Sequence, residues 1–210
     1  MTIWDKIYKD YKKGGKAWAT LGDRVDPQFI EFVRRSEFPI RSALDIGCGT
    51  GQYLQFLGAE GFKLAGVDNS ETAIAMSYEA VGKEADIKLA DMYDFAIPKD
   101  EYDLIFSVAT IHHGTKNQVK KAVHRIYDAL MTHGKIFITL PSFDSSNSWN
   151  TFADKHEVAP GTYVPQSGPE QGLPHSFFTE TEVKALFNNF SHVKITLDKI
   201  GRWKITAEKL

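Results

Sequence analysis

Residues 43–53 read Ala-Leu-Asp-Ile-Gly-Cys-Gly-Thr-Gly-Gln-Tyr, an apolar run that ends in three glycines at alternate positions. The run is a short buried strand. Gly47, Gly49 and Gly51 can take backbone angles closed to residues with a Cβ, so the chain turns sharply and a ligand can lie directly on the main chain. Tyr53, Leu54, Phe56 and Leu57 continue as a helix whose free N–H groups point back at that ligand. A dinucleotide fingerprint would need its third glycine at position 52, where Gln52 stands, and the Asp45 carboxylate would repel a pyrophosphate. A cofactor carrying an ammonium group suits Asp45 better.

Four further segments follow in order. Residues 63–67 form a second apolar run ending in Asp68, an acidic residue just past a strand whose two oxygens could accept both hydroxyls of a ribose. Residues 86–90 lead into Asp91-Met92, and Asn69 stands beside Asp68. Residues 102–108, Tyr-Asp-Leu-Ile-Phe-Ser-Val, are a fourth strand. A helix with a stop at Gly134 and then Lys-Ile-Phe-Ile-Thr-Leu complete the series. This order resembles the class I methyltransferases that use S-adenosylmethionine, strongly over residues 40–141 and more loosely beyond.

The resemblance implies that Asp45, Gly47, Cys48 and Gly49 form the cofactor loop and that Asp68 takes the ribose. It further implies that Asp91 meets the adenine amine, that Met92 and Asn69 border the ring, and that Ser107 and Val108 end the fourth strand at the cofactor. S-adenosyl-L-methionine is the cofactor so implied, and the fold is α/β. It is a doubly wound seven-stranded sheet, mostly parallel with an antiparallel last strand, with helices on both faces in a Rossmann-like arrangement.

The 210 residues suffice for one full core, and 42% hydrophobic with 25% charged residues is ordinary globular usage. A single domain is expected, divided into an N-terminal helical lid at 1–38, a cofactor-binding core at 39–141, a substrate-lid insertion at 142–178 and a C-terminal helix and hairpin at 179–210. No apolar stretch approaches the ~20 residues of a membrane helix, and the first residues lack a secretory apolar core. The sole cysteine, Cys48, lies in the glycine loop, so no internal disulfide can form. A cytoplasmic protein, monomeric or homodimeric and without a membrane partner, is expected.

Local signals place the helices. Ser70 can cap a helix over residues 71–81. Val119, Val123, Ile126 and Leu130 recur at helical spacing within 116–131, and Thr179 to Glu182 fits a capping box. Two strands, 192–197 and 202–207, flank a turn at Gly201. In the N-terminal segment Trp4, Tyr8 and Tyr11 share one helical face, Gly14-Gly15 ends that helix, and Asp26-Pro27 starts another with Phe29, Ile30 and Val33 inward. Tyr8 and Trp18 are the expected cofactor contacts there. The segment 142–178 is too long for a simple connection in a compact domain, and its Trp149, Tyr163 and His175, with His113, are candidate substrate contacts.

Methyl transfer from a sulfonium is an in-line displacement, so positioning dominates, and a base is needed only where the nucleophile carries a proton. His112 occupies the place where similar family members often carry a histidine, as base or orienting group. No metal is expected, because adjacent histidines at a strand end chelate one ion poorly and no carboxylate pair follows them.

Absences narrow the acceptor. The Asn/Asp-Pro-Pro-aromatic sequence of amino-methylating enzymes is missing, and no cysteine follows a proline as cytosine C5 enzymes require. The net charge of −2 supplies no footprint for a phosphate backbone. A small-molecule acceptor is therefore expected rather than nucleic acid. The alternatives are an RNA or protein methyltransferase, a non-catalytic S-adenosylmethionine-binding module, and a nucleotide-dependent oxidoreductase, against which Gln52 already counts.

Overall fold

The computed structural model describes residues 1–15, 25–143 and 154–210. Its elements run α1 (Ile3–Lys12), α2 (Pro27–Arg35), β1 (Ser42–Ile46), α3 (Gln52–Ala59), β2 (Lys63–Asp68), α4 (Glu71–Val81), β3 (Asp86–Leu89), β4 (Tyr102–Ser107), α5 (Lys116–Ala129) and β5 (Leu130–Pro141). They continue as β6 (Lys155–Ala159), β7 (Thr162–Pro165), β8 (His175–Ser176), α6 (Glu180–Leu186), β9 (Ser191–Leu197) and β10 (Arg202–Glu208).

Seven strands form one sheet in the order β3-β2-β1-β4-β5-β10-β9. The first five are mutually parallel, and β10 runs antiparallel to both neighbours. The chain starts at β1 and winds outward in both directions, so the order reverses between β1 and β4. Ligands settle at that switch point in open α/β sheets.

Strand alternation divides the core between two faces. Leu44, Ile46, Ile105, Ile136 and Ile138 pack under α5 and α6, with Val119, Val123, Ile126, Val183 and Phe187. Ala43, Leu104, Phe106 and Phe137 face the other way, onto Leu54 and Leu57 of α3 and Phe29 and Val33 of α2. Phe29 is wholly buried, with ring centroids 5.0 Å from Tyr53, 5.0 Å from Phe106 and 5.1 Å from Phe137. Burying one such side chain contributes about 1.5–3 kcal/mol, which anchors α2 on the sheet.

The expected caps are present. Ser70 Oγ accepts from Ala73 N at 3.1 Å, and Asp26 Oδ1 accepts from Gln28 N at 2.9 Å with Pro27 in the first turn. Thr179 closes the expected capping box with Glu182, and α5 carries a further, unexpected box between Thr115 and Gln118.

Two expectations are corrected. The helix expected over 116–131 ends at Ala129, and β5 begins at Leu130 rather than after Gly134. Leu130 is buried in the core and pairs with Tyr102, so the strand starts there and bulges before Lys135 pairs with Leu104. Within the long insertion the described residues fold as a three-stranded antiparallel sheet, β6-β7-β8, tied to the core where Ser176 N donates to His112 O at 2.9 Å.

Candidate active site

A cleft of about 380 Å³ opens at the carboxyl ends of β1, β2 and β4. The glycine loop forms its floor. Gly47 (φ +82°) has the Thr110 side chain where a Cβ would stand, and at Gly49 (φ +53°) a Cβ would lie 2.6 Å from Tyr8 Oη. These two positions need glycine for both backbone angle and space. Gly51 begins α3 without a side-chain cap, leaving polar capacity at that helix start toward the cleft. Ala109, also in the lining, takes φ +56°, a strained angle for a residue with a Cβ.

Asp45 and Asp68 face this cleft beside the ion-paired Asp26. Asp45 is buried, and burial, then the neighbouring Asp68, pushes its carboxyl well up from the ordinary range. It has no ion pair among the described residues, so a ligand ammonium would supply the missing countercharge. Asp68 Oδ2 accepts from Gly49 N and Oδ1 from Ser70 N, both at 3.0 Å. A carboxylate offers about four lone-pair sites, so acceptor capacity remains for two hydroxyl donors. Asn69 also lines the cleft, and its Oδ1 is buried without a protein partner. A buried unsatisfied oxygen costs about 1–3 kcal/mol and fits a site that a ligand donor completes.

The other expected residues divide. Cys48, Met92 and Val108 lie in the lining, and burial pushes the Cys48 thiol well up, which makes it unreactive. Ser107 lies beneath the lining, donating to Ile46 O at 2.8 Å and accepting from Ile111 N at 3.2 Å. Asp91 is exposed beside the cleft, where its Oδ1 accepts from Tyr93 N at 2.8 Å. Tyr8 is buried under the glycine loop, whereas Trp4, one turn earlier on α1, reaches the cleft itself. Trp18 and Trp149 lie outside the described residues.

His112 and His113 sit on the turn after β4, outside the lining, and His175 comes to them from β8. Burial first, then the neighbouring imidazoles, holds His112 and His113 well below the ordinary histidine range, and burial brings His175 down to about 4. All three are neutral at pH 7. Tyr163 packs edge-on to Phe177 at 5.8 Å on the small sheet.

The lining also holds residues that the sequence does not single out for the site, among them Trp4, Asp26, Tyr53, Thr110, Arg202 and Lys204. Arg202 and Lys204 share the polar face of β10, opposite buried Trp203 and Ile205. That alternation is visible in the sequence, but the overlap of this hairpin with the cleft arises only from sheet order. Lys204 pairs with Asp26 at 2.6 Å, and Arg202 pairs with Asp198 at 2.9 Å.

Residues 43–134 match the family model described as a methyltransferase domain. That match places the part of the chain that builds the cofactor cleft among methyltransferase domains. An uncharacterized methyltransferase of Bacillus licheniformis is 26% identical to this one over 169 residues, 80% of this chain and 77% of the relative. The structure of Burkholderia thailandensis 1,6-didemethyltoxoflavin-N1-methyltransferase with bound S-adenosylhomocysteine superposes at a TM-score of 0.70 with 17% identity, covering 99% of this chain and 87% of that chain. Haemonchus contortus phosphoethanolamine N-methyltransferase 2 with S-adenosyl-L-methionine gives a TM-score of 0.74 at 16% identity, covering 100% and 60%. At these identities the two solved structures speak for the fold alone. Among the described residues no helix is long and apolar enough to cross a membrane.

Proposed function

We propose that this methyltransferase acts on a small molecule in the cytoplasm and holds its cofactor along the cleft. Asp68 takes the ribose hydroxyls, Asn69 and Met92 border the adenine, and Asp45 faces the ammonium of the amino-acid end. S-adenosylmethionine, when bound, supplies a methyl group made electrophilic by its sulfonium. The chain's own residues position and exclude water: Trp4 covers the cleft from α1, while Thr110 and Val108 wall it from the end of β4. His112 lies outside the lining with a buried, weakly basic imidazole, and orders the turn after β4 rather than touching the acceptor.

One observation carries the small-molecule reading. The two cations at the cleft, Arg202 and Lys204, are each matched by a carboxylate, Asp198 and Asp26, so no surplus positive charge is available to hold a polyphosphate backbone. A site neutralised in this way suits a compact acceptor admitted by shape. The location follows the sole cysteine, a buried thiol with no partner for a disulfide.

The experiment measures transfer of labelled methyl from S-adenosylmethionine into separated metabolite, RNA and protein fractions of a cell extract, with Asp68→Ala as control. Label in the metabolite fraction, lost in the variant, is expected. Label confined to RNA or protein would overturn the acceptor reading.

A further inference from the structure

The turn after β4 carries His112 and His113, with ring centroids 4.0 Å apart and tilted by 38°. β8 of the insertion brings His175 to within 4.8 Å of His113 and 5.8 Å of His112. One nitrogen from each imidazole lies within 4.8 Å of the other two. The meeting does not depend on the rings themselves. Ser176 N donates to His112 O at 2.9 Å, and the Ser176 hydroxyl donates to Gly114 O at 2.6 Å, so these two bonds hold β8 against the turn.

A backbone hydrogen bond sets the tautomer of His113. Its Nδ1 lies 2.9 Å from Thr110 O, a carbonyl that can only accept, so Nδ1 carries the proton and Nε2 keeps a lone pair. Metal-binding histidines use this backbone hydrogen bond to fix tautomer and ring direction. Glu170 Oε2 stands 3.5 Å from His175 Nε2, a carboxylate beside the group. Trp4 packs edge-on to His113 at 4.8 Å and adds an apolar contact.

We propose that His112, His113 and His175 form a binding site for a divalent transition metal of the zinc class, with Glu170 as its carboxylate partner. Three imidazoles with an adjacent carboxylate suit zinc, whose tetrahedral sites take nitrogen and oxygen donors. Nitrogens on such an ion lie about 3.3 Å apart at a Zn–N distance of about 2.0–2.1 Å, so the observed group closes onto an ion by small imidazole rotations. The bound ion clamps the insertion to the core beside the cleft. Adjacency in sequence argues against His112 and His113 as a chelating pair at a strand end. The turn changes this by setting their rings on one side, and the third ligand comes from a strand far along the chain.

The test strips the purified protein with a chelator and titrates it with Zn²⁺ and, separately, Co²⁺. One equivalent of zinc, a raised melting temperature and the intense visible bands of tetrahedral cobalt are expected. His113→Gln and His175→Gln should weaken zinc by more than the roughly 10–100-fold that follows loss of an outer-shell partner. His124→Gln, on the exposed face of α5, should bind as wild type does. S-adenosylhomocysteine binding, measured on each variant, reports that the cofactor cleft is intact. No zinc binding by folded wild type, or equal binding by the triad variants, overturns the proposal. Where a triad variant fails to fold, the cobalt spectrum of wild type decides alone, and weak octahedral bands or none would sink the site.

Discussion

Asp68 Oδ2 accepts from Gly49 N at 3.0 Å, so the carboxylate at the end of β2 is fastened to the loop that follows β1. Burial pushes this carboxyl up to about 6, against the pull of the Gly49, Ser70 and Asn69 amides. Between about pH 4 and 6 the folded chain therefore holds a proton that the unfolded chain has released. Stability falls as pH rises through that window, by about 3 kcal/mol at most for this group. Hydroxyl donors favour the ionised form, which reverses the trend for binding. S-adenosylhomocysteine affinity should rise from pH 5 to pH 7, and Asp68→Asn should lower affinity at least tenfold and flatten the profile. Some slope remains from Asp45, which burial also pushes up. Calorimetry across that range checks this, and an unchanged slope in the variant would remove Asp68 from the role.

Gly49 and Tyr8 should couple. A Cβ at Gly49 would lie 2.6 Å from Tyr8 Oη but 3.5 Å from Tyr8 Cζ, so the clash is with the hydroxyl alone. Gly49→Ala should destabilise by roughly 2 kcal/mol or more, part from the left-handed angle and part from overpacking. Tyr8→Phe in the same chain should restore the overpacking share and leave the backbone share. Denaturant midpoints for the two single variants and the double variant give the coupling energy. Strict additivity would show that the loop relieves the contact elsewhere.

The sheet was legible because its signals are local. An apolar run ending in alternate glycines, Ser70 before α4, and the Thr179–Glu182 box each act within a few residues. The cofactor side of the cleft was legible for the same reason, since Asp45, Gly47, Gly49 and Asp68 stand at strand ends. The opposite wall was not. Arg202 and Lys204 reach the cleft because β10 inserts between β5 and β9, and the meeting of His175 with His112 depends on how the insertion folds back. Neither contact leaves a trace in local spacing. Tyr8 and Trp4 share a helical face by periodicity, yet only packing decides that Trp4 reaches the cleft while Tyr8 underlies the loop.

Lys204 and Asp26 join β10 to the start of α2 at 2.6 Å, with side chains only 11% and 10% exposed. Asp26 also caps α2 through Gln28 N. Lys204→Met leaves Asp26 as a poorly solvated charge and should cost about 3 kcal/mol, while Asp26→Asn added to it should recover much of that loss. Thermal unfolding of both variants checks the order. A Lys204→Met protein as stable as wild type would mean that solvent already screens the pair.

Asp5 fastens α1, and with it Trp4, to the start of α4. Its Oδ1 accepts from Ser70 Oγ at 3.1 Å, Thr72 N at 3.0 Å and Thr72 Oγ1 at 2.8 Å, and its Oδ2 pairs with Lys9 at 2.8 Å. The Lys9 ammonium above all, then the Thr72 and Ser70 donors, hold this carboxyl well below the ordinary range despite opposing desolvation. A depressed carboxyl contributes its full stabilisation above its unfolded value, about pH 4, and loses it as pH falls further. Asp5→Ala leaves the Ser70 and Thr72 donors and the Lys9 ammonium without their acceptor, at about 1–3 kcal/mol for a buried group. Because α1 packs on the core through few residues, that loss should appear as local opening before global unfolding. Amide exchange over Ile3–Lys12 should quicken about tenfold or more in the variant while β4 and β5 stay protected. In wild type the same segment should lose protection as pH drops below about 4, after correction for intrinsic exchange. Equal protection of α1 in variant and wild type would show that Ile7 and Tyr8 alone hold the helix down.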